Sequence, residues 1–387
     1  MRLNQLLCLS LTAAASAAPH IARDGLSCRE INIPVDVSAN NKDLPDTLDL
    51  SSLLSLSVLN DLVVGLGSTV VSGNYSIAAR YCEPSAKVES RNKTLQVLVH
   101  GIQYDRNYWF GLAAPGTKAG QDEYSWAVYA ANEGYATLSV DRLCTGNSSR
   151  PLSLTQCQAP LEVETMHAII EAARSGTLPG VQQTFDKIVY AGHSYGSLVG
   201  NALALQHPED VDTYVFTGFS LDALQGATGF ALLPGFLPAA IVAPERFGSD
   251  DLGYLLATNE KGAKKVFYYG DYDENIFSED YAGRQAVPLS EIATVPLGQL
   301  PAPEYQGPVF VLNGNEDAIF CVGLLDTLLG VPGDCSNGYA SRVKDGYPKA
   351  KAFGSHITAE TGHALNNHRT AQESFKAAHD WLAQQGF

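Results

Sequence analysis

The sequence predicts an α/β fold, a mostly parallel central sheet flanked by helices and carrying an inserted cap, and three observations predict it. Short, nearly continuous apolar runs recur at Leu95–Val99, Ala136–Val140, Lys187–Ala191, Thr213–Phe216 and Val309–Leu312. Such runs suit strands buried on both faces, as a parallel sheet requires. Segments of helical spacing, Tyr124–Asn132, Glu162–Ala173 and Leu198–Gln206, lie between them, and this alternation builds parallel sheets. Between about Leu221 and Leu300 the rhythm stops. That stretch is rich in Gly, Pro and aromatics, and its apolar run Phe230–Val242 is interrupted by Pro234, Gly235 and Pro238. A membrane span is excluded there by the interruptions. An insertion of this size needs a core of its own and reads as a cap over a site.

The flanking elements follow the same logic. Glu30–Val37 alternates apolar and polar residues like an edge strand, and Tyr75–Tyr81 is its natural partner. Leu53–Val71, broken by Gly65 and Gly67, reads as an extra helix and turn packed on the core. An amphipathic helix, Arg369–Leu382, closes the chain.

Composition narrows the class of function. The chain has 387 residues, 45% of them hydrophobic and 17% charged, with a formal net charge of −16. This suits one large domain with a sizeable core. Nucleic acid and anionic membranes are excluded as partners, because both repel an acidic surface. Arg2, the apolar run Leu6–Ala14 and the small residues Ala15-Ser16-Ala17 form an export signal, residues 1–17, so the mature chain is expected outside the cell. Of the seven cysteines, Cys8 leaves with the signal. The remaining Cys28, Cys82, Cys144, Cys157, Cys321 and Cys335 form an even set suited to disulfides. Their pairing stays open; joining nearest neighbours would give Cys28–Cys82, Cys144–Cys157 and Cys321–Cys335. None lies in a Cys-x-x-Cys pair, which argues against zinc or redox chemistry, and no metal or cofactor is expected. Glycosylation sequons at Asn74, Asn92 and Asn147 agree with export.

The strongest chemical signal is Gly192-His193-Ser194-Tyr195-Gly196. It follows the apolar run Lys187–Ala191 and opens the helical segment Leu198–Gln206, the strand–turn–helix setting of a nucleophile elbow. Such a turn exposes a serine hydroxyl at the carboxyl end of the sheet. A serine needs a base, and the base needs an orienting acid. In this setting the partners follow in the order acid, then histidine. Asn313-Gly314-Asn315-Glu316-Asp317 follows a strand and offers Asp317 as the acid, with Glu316 as the alternative. Of nine histidines, His363 in Thr361-Gly362-His363-Ala364 lies on a loop before the last helix and is the expected base. His356 falls in or beside the last strand, His368 near the last helix, and His193 points into the packing around the elbow. An oxyanion needs two aimed N–H groups. The backbone of Ile102, after the strand ending in His100-Gly101, and of Tyr195 supply them, with Gln103 as the alternative to Ile102 and His100 as a structural residue.

The His100-Gly101 loop, the Gly192–Gly196 elbow, the Gly314–Asp317 turn and the Gly362-His363 loop together resemble the α/β-hydrolase superfamily, from Leu95 to the C-terminus. Within it the chain is similar to secreted α/β-hydrolases of filamentous fungi, through Cys28-Arg29-Glu30, Asp141-Arg142-Leu143-Cys144-Thr145-Gly146 and Gly362-His363-Ala364-Leu365-Asn366. The resemblance implies a Ser–Asp–His triad, no metal and an ester-like small-molecule substrate; the apolar cap leans towards an apolar one. Asp141 and Arg142 carry over only as structural candidates, a surface ion pair or turn. A peptidase, a hydrolase tailoring a natural product, and a non-catalytic binding module on the same fold are the competing readings.

Overall fold

The computed structural model describes residues 20–23, 25–45, 63–113, 122–222, 229–322, 326, 329 and 331–387. The expected export signal, residues 1–17, lies outside them. Strands β1 (His20–Arg23), β2 (Leu26–Lys42), β3 (Ser68–Pro84), β4 (Thr94–Val99), β5 (Ala136–Val140), β6 (Lys187–His193) and β7 (Thr213–Thr217) lead up to the inserted stretch. Within it lie β8 (Phe236–Pro238), β9 (Tyr254–Ala257) and β10 (Val287–Pro288), and after it β11 (Val309–Gly314) and β12 (Phe353–Thr358). One sheet runs in the order β1-β2-β3-β5-β4-β6-β7-β11-β12. From β5 to β12 every pairing is parallel; the β1–β2, β2–β3 and β3–β5 pairings are antiparallel.

The apolar runs form the centre of this sheet. Every residue of β4, β5, β7 and β11 is buried, because helices cover both faces. Helices α1 (Trp126–Asn132), α2 (Ala159–Ser175) and α3 (Tyr195–Gln206) connect the first parallel strands. Ser125 caps α1 by accepting the Val128 N–H, and α2 ends at Gly176 in the left-handed conformation, two ordinary start and stop devices. The expected edge pair is longer than its alternating core suggests: β2 and β3 each run for 17 residues. Along β2, residues 33–41 alternate buried and exposed, as a sheet with one wet face requires. Residues 68–71 belong to β3, not to the expected helix and turn, since the backbone pairing with Val71↔Ala39 and Ser68↔Lys42 continues through them. Residues 53–62 of that stretch lie outside the described residues.

Between β7 and β11 the chain leaves the sheet. Residues 229–300 contain α4 (Glu260–Phe267), α5 (Glu274–Gly283) and α6 (Leu289–Thr294) and a small antiparallel sheet ordered β10-β9-β8. Phe230, Phe236, Leu256, Phe267 and Phe277 are buried among them. Backbone bonds tie this segment to the carboxyl end of the large sheet: Gln285 N–H to Gln103 O at 2.8 Å, Ala364 N–H to Phe267 O at 3.0 Å, and Asp271 N–H to Glu360 O at 2.8 Å. The last helix, α7 (Ala371–Gln384), buries Phe375 and Trp381; the Trp381 ring stacks on Phe310 of β11 at 5.0 Å. Among the described residues no helix is long and apolar enough to cross a membrane.

Disulfides join Cys28–Cys82, Cys144–Cys157 and Cys321–Cys335, the nearest-neighbour scheme among those the sequence left open. Cys28 and Cys82 face one another in the β2–β3 register. Cys144–Cys157 closes a loop with a sequence separation of 13, a length for which lost chain entropy stabilises the fold by roughly 3 kcal/mol. Replacing both cysteines by serine is expected to lower unfolding stability by about that amount, read as a reduced urea midpoint.

Candidate active site

Ser194 sits between the last residue of β6 and the first of α3, with φ 55° and ψ −119°. A non-glycine residue at positive φ is strained, so the surroundings must hold it. Ser194 N–H donates to Thr217 O at 2.8 Å, and the Ser197 hydroxyl donates to the same carbonyl at 3.0 Å. The turn is tight enough to decide its neighbours. A Cβ on Gly196 would lie 2.1 Å from Val99 O, and one on Gly192 2.7 Å from the backbone of Gly196. The glycines at both positions are therefore a packing requirement of the turn. Ser194 itself is 8% exposed.

His363 approaches from the loop after β12. Its Nδ1–H donates to Asp317 Oδ2 at 2.7 Å, both side chains being fully buried. Asp317 Oδ1 accepts the N–H groups of Ile319 (2.8 Å) and Phe320 (2.9 Å). This set of donors holds the carboxylate in one orientation. Glu316, the alternative acid, is half-buried and meets Thr361 only through its backbone N–H. With Nδ1 carrying the proton, His363 Nε2 is the basic nitrogen, and it is buried without a hydrogen-bond partner. The ring is packed by Phe320 (stacked, centroids 5.6 Å), Phe267 (5.6 Å) and His193 (4.9 Å). His193 does point into the packing. It stacks on Tyr108 at 4.4 Å, donates Nδ1–H to Thr217 Oγ1 at 3.1 Å, and is held neutral, far below the usual histidine range, by burial and the nearby His363 and His100.

An apolar cavity opens over Ser194. Ile102, Tyr195, Leu198 and Phe320 come to it from the large-sheet domain, and Phe230, Phe267 and Val295 from residues 229–300. Ile102 and Tyr195, the expected oxyanion pair, both line it. Tyr195 is the first residue of α3, so its N–H has no intrahelical acceptor. Gln103, the alternative, has φ 70° and lines a neighbouring cavity instead. His100 is buried and bridges two backbones: Nδ1 to Gly101 O at 2.8 Å, and Nε2 accepting the Arg142 N–H at 3.0 Å. His356 lies within β12, and His368 just before α7.

Asp141 and Arg142 differ from the expectation of a surface pair, since both are buried. Asp141 pairs with Arg106 and accepts the backbone N–H of Arg106 and of Asn147, each at 2.8 Å. Arg142 sits behind Tyr195. Its guanidinium lies 4.6 Å from the Tyr195 ring centroid, donates to His100 O at 3.1 Å, and bridges Glu162 of α2 (2.6 Å) and Glu291 of α6 (3.0 Å). Two buried carboxyls thus compete for one cation. Glu162 Oε1 and Glu291 Oε1 are both buried and unpartnered, an arrangement that a single proton held by the pair relieves. Burial pushes Glu162 up to about 8 and raises Glu291, against the pull of Arg142. No sequence motif marks this cluster, because its members come from three separate segments.

Three potential metal ligands, His167, His207 and Asp210, have donor atoms within 4.8 Å of one another on half-buried surface. His167 Nδ1 bonds Asp210 at 2.6 Å and His207 Nε2 bonds Glu164 at 3.0 Å. None of these residues lines the Ser194 cavity.

An elbow serine, a carboxylate-bound histidine and an apolar cavity at the carboxyl end of a parallel sheet define a hydrolase-type site. The chain matches the alpha/beta hydrolase family over residues 96–373 and belongs to it. Among solved structures it is similar to a bromoperoxidase from Bacillus anthracis (17% identity, TM-score 0.51, 80% of this chain and 96% of that one). It is also similar to an epoxide hydrolase mutant from Vigna radiata (14%, 0.50, 80% and 95%) and to a thermophilic esterase from Thermogutta terrifontis (14%, 0.47, 81% and 96%). At such identities the likeness is one of fold. No curated protein sequence matches the chain.

The buried Glu162–Arg142–Glu291 group predicts a pH dependence. A carboxyl whose folded pKa is raised favours folding fully below its unfolded pKa, about 4.5, and loses that contribution as pH rises to about 8. Melting temperature should therefore fall across pH 5–8, and Glu162→Gln should flatten the fall. An unchanged slope in that variant would remove Glu162 as its source.

Proposed function

We propose that this chain is a secreted serine hydrolase that cleaves carboxylic esters through Ser194, His363 and Asp317. The observation that carries the reading is the His363 Nδ1–Asp317 Oδ2 bond of 2.7 Å. It leaves Nε2 as the free base on a loop packed against the elbow, where Gly218 beside it would bring a Cβ within 2.9 Å of the His363 ring. His363 takes the Ser194 proton as Oγ attacks the substrate carbonyl. Asp317 holds the imidazole in its tautomer and stabilises the imidazolium. The oxyanion is held by the N–H groups of Ile102 and Tyr195, and water then releases the acyl-enzyme.

The apolar lining of the Ser194 cavity supports an apolar acyl group. Residues 229–300 supply part of that lining and act as the cap. Export is supported by residues 1–17, by three disulfides of the sort kept in oxidising compartments, and by the exposure of Asn74, Asn92 and Asn147 as glycosylation sites.

Ser194→Ala is expected to lower kcat on p-nitrophenyl butyrate by at least about 10⁴-fold at unchanged melting temperature. Asp317→Asn should cost about 10⁴-fold, since it destroys the tautomer control. A fluorophosphonate probe should label the wild type at Ser194 only. Failure to label, with a folded protein, would favour the non-catalytic binding module.

A further inference from the structure

A second, narrow cavity adjoins the first. Phe267 lines both, and the consecutive residues Ile102 and Gln103 line one each. The two differ in chemistry. Around Ser194 the walls are apolar throughout; here Ala263, Phe267 and Phe277 keep most of the wall apolar, and Asp280, Tyr104 and Arg284 set polar groups into it.

Asp280, on α5, is 8% exposed. Among the described residues its Oδ2 accepts three hydrogen bonds, from the hydroxyls of Tyr104 (3.2 Å) and Tyr268 and from Asn367 Nδ2 (3.3 Å), and Oδ1 accepts none. A carboxylate buried this far costs folding free energy unless its oxygens are satisfied, so the fold has fixed one oxygen firmly and left the other to whatever enters the cavity. The fixing groups belong to the site's own framework. Tyr104 stands in the loop that follows β4 and packs on Tyr108, which stacks on His193. Asn367 lies four residues beyond His363 and also donates to Tyr268 Oη at 2.8 Å.

Resting on the serine-hydrolase reading above, we propose that this cavity is the subsite for the alcohol half of the ester and that Asp280 Oδ1 accepts a hydrogen bond from a hydroxyl group on it. The substrate class is then an ester joining an apolar acyl group to a small hydroxylated alcohol. A cationic alcohol is disfavoured, because the Arg284 guanidinium lines the same cavity, fixed by the Ala257 carbonyl at 2.7 Å and lying 3.9 Å from the Tyr281 ring centroid. Burial of the carboxyl raises its pKa to about 6, so at neutral pH the acceptor is an anion, the stronger kind of hydrogen-bond partner.

The test compares three butyrates with a common acyl group: ethyl, 2,3-dihydroxypropyl and choline. The wild type should prefer the dihydroxypropyl ester over the ethyl ester by about tenfold or more in kcat/KM, the worth of one hydrogen bond to a charged group, chiefly through KM. Choline butyrate should show no such advantage. Asp280→Asn should bring the ratio down towards one; taking a ratio cancels any shared loss in the chemical step. Should that variant fold poorly, Ala263→Leu fills the same cavity without disturbing the Asp280 bonds and should erase the preference equally. Parity in the wild type, preference for choline, or a preference that survives in the folded variants would each overturn the subsite. Undiminished turnover of ethyl butyrate by Ser194→Ala would instead overturn the catalytic reading, so the two failures are distinct.

Discussion

The contact on which the site depends is the approach of Gly196 to the end of β4. Val99 O stands where any side chain at position 196 would begin, so the start of α3 lies directly against the loop that begins at His100. That closeness brings Tyr195 and Ile102 to one cavity and keeps Ser194 at its strained φ. Strain of this kind persists only where the surroundings over-determine it. The two bonds accepted by Thr217 O, and the Tyr190 hydroxyl donating to Gly196 O at 2.8 Å, supply that determination.

Around this turn the chain has arranged two buried polar systems of opposite character. The Asp317 carboxylate is fully satisfied, with two backbone N–H groups on one oxygen and His363 on the other. Such a group orients its partner without competing demands. The Glu162–Arg142–Glu291 group is not balanced: one cation serves two carboxyls, and each keeps an unpartnered oxygen. It joins α2, the end of β5 and α6, so the inserted segment is fastened beside Tyr195 by charge as well as by apolar packing.

Residues 229–300 complete the site rather than merely cover it. Phe267 packs the catalytic-type histidine, lines both cavities, and holds the His363 loop through the Ala364 N–H bond to its carbonyl. Tyr268, the next residue, hands its hydroxyl to Asp280. Phe267, the last residue of α4, and Tyr268, which follows it, thus place the inserted segment against the His363 loop and both cavities.

The sequence by itself determined the parallel sheet and the strand–turn–helix setting of Ser194. These are local signals: an apolar run is buried on both faces wherever it lands in such a sheet, and Gly192-His193-Ser194-Tyr195-Gly196 carries its own turn. The choice of Asp317 over Glu316 was legible only as a preference, because adjacent carboxylates on a turn look alike until the chain's direction assigns one of them to the histidine. The lengths of β2 and β3 were hidden, since Ser68–Val71 has no alternation of its own and joins the strand through pairing. Only the tertiary structure decided the burial of Asp141 and Arg142, the pairing of the six cysteines and the Asp280 cluster. Each of these depends on residues far apart in sequence meeting in a medium of low polarity, where a charge must find its partner, and the identity of that partner is written in no single segment.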